Sequence, residues 1–87
     1  MDVQSIKNAI NNFMDANTQM AGVLRQVRDA HGARRQMMMV ILQGAPHRTY
    51  EKIAAGATIT DESIAHALHG LEEINKELIV YLQRISN

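Results

Sequence analysis

Four side chains in the last third of the chain have the types and spacing to do chemistry. Glu62, His66, His69 and Glu73 fall on one stripe of a helix turning 100° per residue. Two imidazoles three residues apart can both reach one divalent cation, with a carboxylate as a further ligand. A closed structural site takes four ligands, so His47 or a symmetry mate would have to complete this one. Glu and His also decorate solvated helix faces for solubility alone. His66 and His69 are therefore the only metal candidates, and neither a metal nor any other cofactor is expected. Histidine is the side chain suited to a pH sensor, yet no neighbouring residue calls for one here. Ser63 is close to His66 in sequence but has no evident orienting carboxylate or oxyanion hole. Phosphate loop, nucleophile elbow and dinucleotide fingerprint are all missing from the sequence. Cysteine is absent too, which removes thiol catalysis, disulfides and zinc ribbons. The chain is not expected to be an enzyme.

Charge offers a second constellation. Nine basic and nine acidic residues cancel over 87 residues, but unevenly. Residues 1–58 hold seven basic and four acidic groups; residues 59–87 hold two basic and five acidic. Arg25, Arg28, Arg34, Arg35 and Arg48 are the candidate partner-binding residues, as a patch for phosphate or an acidic protein. Their structural role would be to complement the acidic last helix, within the fold or across a dimer, and to oppose wrong pairings.

The elements that position these groups follow from apolar spacing. Val3, Ile6, Ile10, Phe13, Met20, Leu24 and Val27 recur at alternating gaps of three and four, with Asn17 in the missing slot. Such an a/d pattern predicts a long helix packed along its length against another. Gly32, after Arg28 and His31, supplies a terminus or kink. Ile64, Leu68, Leu71, Leu78, Leu82 and Ile85 repeat the pattern with Asn75 in the seam. A helix from about Asp61 to the C-terminus is expected there, capped by Thr58 or Thr60. Between the seams, Met37-Met38-Met39-Val40-Ile41-Leu42 has no polar face and reads as a buried core or interface segment rather than soft-metal ligands. Gly44-Ala45-Pro46 ends it, and a short helix over His47–Ala55 is expected next.

The segment Lys52 to Gly70 resembles the helix-turn-helix of bacterial repressors. Ala54, Ile59 and Ile64 match its alanine and apolar slots, and Thr60 matches the residue that opens the recognition helix. The resemblance implies a transcriptional regulator that binds DNA through the helix beginning Asp61-Glu62-Ser63. Thr58 stands where the turn glycine belongs, and two leading carboxylates would repel phosphate. Nucleic acid is therefore the disfavoured alternative.

The expectation is a single all-α domain over residues 1–87. Long N- and C-terminal amphipathic helices flank a buried Met-rich helix and a short helix, completed by self-association. If the terminal helices run antiparallel, Asn17 and Asn75 fall at similar heights, where a buried asparagine can fix register at a cost in stability. Removing it, as Asn17→Val, is then expected to raise the melting temperature. A domain this small buries only about 60–65% of its unfolded surface, which favours a homodimer or higher oligomer. Ile10, Phe13, Asn17, Met20, Met37, Met38, Met39, Asn75 and Leu78 are the expected oligomer-interface residues. The longest apolar run is too short for a membrane span, and Met-Asp-Val-Gln opens no secretory signal. The expected protein is cytoplasmic and non-enzymatic, and acts by binding itself and another protein as an adaptor, inhibitor, assembly chaperone or phage- or plasmid-type regulator.

Overall fold

A computed structural model describes residues 2–86. Two helices account for nearly all of them: α1 (Val3–Ile41) and α2 (His47–Ser86), joined by a 3₁₀ turn at Leu42–Gly44. They pack antiparallel as one hairpin with extents of 63 × 17 × 17 Å. No strand occurs among the described residues. All-α is what the sequence predicts; the division into four helices is not what forms.

Asp2 starts α1 by accepting a hydrogen bond from the Ser5 amide at 2.7 Å. That bond holds the Asp2 carboxyl below its ordinary range, because it is made to the ionised form. The helix then runs through Gly32 without a break and takes in the methionine-rich segment as its last turns. At the turn, the Ala45 amide donates to the Leu42 carbonyl at 2.9 Å. Pro46, which has no N–H to continue α1, sits immediately before α2, and its carbonyl accepts from the Tyr50 amide.

α2 does not stop near Ala55 and restart at Asp61. Thr58 and Thr60 are not caps: their hydroxyls donate back to the carbonyls of Ala54 and Gly56 at 3.1 and 3.0 Å. Ser63 does the same to Ile59 at 2.8 Å. Bonded a turn back, these hydroxyls sit within the helix rather than at its start. Tyr50, Ala54, Ala57, Asp61, Ile64, Leu68, Leu71, Asn75, Leu78, Leu82 and Ile85 form one unbroken inner stripe, at gaps of four and three.

The facing stripe of α1 is not the a/d pattern. It combines the a series Ile10, Asn17 and Leu24 with Met14 and Ala21, while Phe13, Met20 and Val27 turn outward. Ala21, Ile64 and Leu68 form the core, with Leu24 and Leu71 against it. Among the described residues, no large side chain is fully buried. The methionine-rich segment is likewise exposed rather than central: Met37 and Met38 are open to solvent and Met39 is half-buried.

Asn17 is the buried polar residue of the seam, at 5% exposure. Its side-chain amide donates to the Asn75 carbonyl oxygen at 2.9 Å, and the Asn75 amide donates to the Met14 carbonyl at 3.3 Å. The two asparagines therefore meet within one chain.

This pairing reverses the expectation for a single substitution. Asn17→Val strands the Asn75 oxygen and should cost about 1–2 kcal/mol, whereas Asn17→Val/Asn75→Val should regain that loss or exceed wild type. Urea titration of the four-member cycle measures the coupling. Gly22 and Gly32 lie inside α1 with open space where a Cβ would go. Gly22→Ala and Gly32→Ala should each stabilise by about 1 kcal/mol, read as a higher denaturation midpoint at unchanged slope.

Candidate protein-interaction face

Each flank of the hairpin is identified by residues of both helices. On one, Thr18 and Arg25 of α1 meet Glu72 of α2, and Arg25 pairs with Glu72 at 3.7 Å. On the other, Arg34 and Met38 of α1 line an open groove of about 440 Å³ with Ile53, Gly56 and Thr60 of α2. The second flank carries most of the exposed apolar surface.

Along α1 this flank presents Ala9, Phe13, Ala16, Met20, Val23, Val27, Ala30, Arg34, Met37 and Ile41, all exposed and spaced by four and three. Phe13 is 51% exposed, Met20 53%, Val23 57% and Met37 68%. Arg34 is the one charged residue in that stripe. The same flank of α2 continues from Ile53, Gly56 and Thr60 through Ser63, Ala67, Gly70, Ile74, Glu77 and Tyr81 by the helical period. Bulky residues thus dominate on α1 and small ones along the middle of α2. An apolar stripe spanning a whole helix is far more than the scattered apolar residues of an ordinary surface.

The residues expected at an oligomer interface divide between two places. Ile10, Asn17, Asn75 and Leu78 lie in the seam between α1 and α2, Phe13, Met20, Met37 and Met38 lie on the exposed flank, and Met39 is half-buried beside the groove. Val23, Ala9, Ala16 and Ala30 were not among them. Their signal was present, as a second three-four spacing interleaved with the first.

The arginines are largely engaged. Arg35 bonds Asp61 across the seam, with the His31 imidazole 3.9 Å from the same carboxylate. Arg28 pairs with its neighbour Asp29 at 3.1 Å. Arg34 and Arg48 make no ion pair among the described residues. Arg25–Glu72 and Arg35–Asp61 join the basic portion of the chain to the acidic portion within the fold, as the charge arithmetic predicts for a structural role.

Lys52–Gly70 is uninterrupted α-helix, so the turn that defines a helix-turn-helix is missing and Asp61 opens no recognition helix. His66 and His69 are exposed on α2. Among the described residues, no three His, Cys, Asp or Glu side chains converge to hold a metal ion. Among the described residues, no helix is long and apolar enough to cross a membrane. No protein-family model matches the chain, and no curated protein or solved structure is similar to it.

Reversing a seam cation tests the structural role of charge. Arg35→Glu sets two carboxylates against each other at Asp61, both about one-third exposed. It should lower stability by about 1 kcal/mol at low salt, with much of the loss recovered in high salt.

Proposed function

We propose that the chain is a non-enzymatic interaction protein whose working form is a homodimer, two hairpins joined into a four-helix bundle. The observation that carries this reading is the exposed apolar stripe of α1 from Phe13 to Ile41. A two-helix hairpin needs one apolar stripe per helix, and α1 has two. The second stripe has the spacing of a helix-packing seam, which calls for another helix rather than a small ligand. The adaptor, inhibitor or assembly role rests on the same feature. Once that flank is covered, the Glu62, His66, His69 and Glu73 face and the Arg48 cation are left to meet a second protein.

Sedimentation equilibrium of the whole chain tests the reading. A dimer is expected at micromolar concentration, and Phe13→Glu/Met20→Glu should shift it to monomer while the helical circular dichroism signal persists at low temperature. A wild-type chain that stays monomeric to hundreds of micromolar would refute it.

A further inference from the structure

We infer that the second copy docks antiparallel on this flank, α1 against α1 and α2 against α2, with the two hairpin turns at opposite ends. This rests on the self-association reading and specifies its geometry. The first support is area. The chain exposes 6542 Å². A compact folded monomer of 9.7 kDa exposes about 5,100 Å². The excess, about 1,400 Å² per chain, belongs to the 63 × 17 × 17 Å rod as a whole and leaves room for the roughly 800 Å² each partner contributes to a standard stable interface.

The second support is the order of large and small residues along each stripe. Reversing the α1 stripe about a point between Ala21 and Gly22 sets Phe13 opposite Ala30 of the second copy. It also sets Ala16 opposite Val27, and Met20 opposite Val23. Between Ala9 and Arg34, bulk meets small at the outer positions and medium meets medium at the centre, as close packing of facing side chains requires; Met37 lies beyond, opposite Ile6. Arg34 then lies over Ala9, where its aliphatic stem packs and its guanidinium reaches water at the edge.

The α2 stripe has the same property. Reversed about Glu72, it sets Gly70 opposite Ile74 and Ser63 opposite Tyr81. A two-fold axis must pass through both centres at one level. It does: Ala21, Leu71 and Glu72 line the same cleft beside the Asn17–Asn75 pair. Two stripes with unrelated sequences are thus self-complementary about one height of the rod. The other face-to-face arrangement, turns at the same end, sets Phe13 against Tyr81 and Ala30 against Ser63. At these levels, and at Met20 against Ile74, bulk meets bulk or small meets small, which props the layers apart at two heights and leaves a void at a third, although Val23 falls on Gly70 and Val27 on Ala67.

The absence of native cysteine makes the test direct. Equal mixtures of Phe13→Cys with Ala30→Cys protein, and of Ser63→Cys with Tyr81→Cys protein, should form disulfide-linked heterodimers on mild oxidation. A mixture of Phe13→Cys with Tyr81→Cys should not. Strong linkage in that last mixture, with none in the first two, overturns the antiparallel geometry and leaves the dimer intact. A wild-type monomer removes both. Should a cysteine variant itself dissociate, Ala30→Leu decides the matter: it keeps a strong helix former yet fills the space that takes Phe13, whereas in the same-end arrangement it would fill the void beside Ser63. A helicity equal to wild type with at least tenfold weaker dimerisation is expected, and unchanged dimerisation overturns the proposal.

Discussion

Register in this hairpin hangs on the hydrogen bond between Asn17 and Asn75. Two helices with three-four apolar repeats can slide past each other by a heptad and still find apolar partners, so burial alone does not select one alignment. A buried amide does, because its oxygen and nitrogen are satisfied only when the matching amide lies opposite. Here Asn75 donates onward to the Met14 carbonyl, which ties the pair to backbone as well as to each other. Every other placement follows: Ala21 beside Ile64 and Leu68, Arg35 beside Asp61, and the common level of the two exposed stripes. The ion pairs reinforce the alignment but are half-exposed and contribute little alone.

The seam is economical to the point of thinness. Alanines at positions 21 and 57 let the helices approach, and the core contains few large side chains. Larger residues are placed on the outward stripe of α1 instead. Such a distribution makes poor sense for an isolated hairpin, which would gain most by turning Phe13 and Met20 inward. The heavier apolar residues are thus the ones without a partner inside the hairpin, and the proposed self-association rests on them.

Much of this was legible in the chain. Alternating gaps announced helices, Gly44-Ala45-Pro46 announced the reversal, and the pairing of two asparagines followed from treating both terminal segments as antiparallel. What misled was local punctuation. Gly32 and the Gly56–Thr60 stretch look like boundaries when helix propensity is weighed residue by residue. They are overridden because the inner stripes run through them without losing period, and because Thr58 and Thr60 find carbonyl acceptors a turn earlier. The helix-turn-helix resemblance failed for the same reason: its slots fit an apolar helix period as well as they fit a turn. The choice between Phe13 and Met14 as the inward residue was harder to read. Both satisfy a three-four spacing, and only the partner helix decides which stripe it covers.

The shape of the rod carries one mechanical consequence. With a single reversal at Leu42–Gly44, the start of α1 and the end of α2 both lie at the far end of a body 63 Å long and 17 Å wide. A force pulling those ends apart acts across the seam, not along it, and loads one layer of side chains at a time. Thermal opening takes the same route, starting with the outermost layers and meeting the asparagine pair before the Ile64–Leu68 centre. The hairpin is thus a zipper with its catch partway down, and its resistance to peeling is set by whichever layer is next to open.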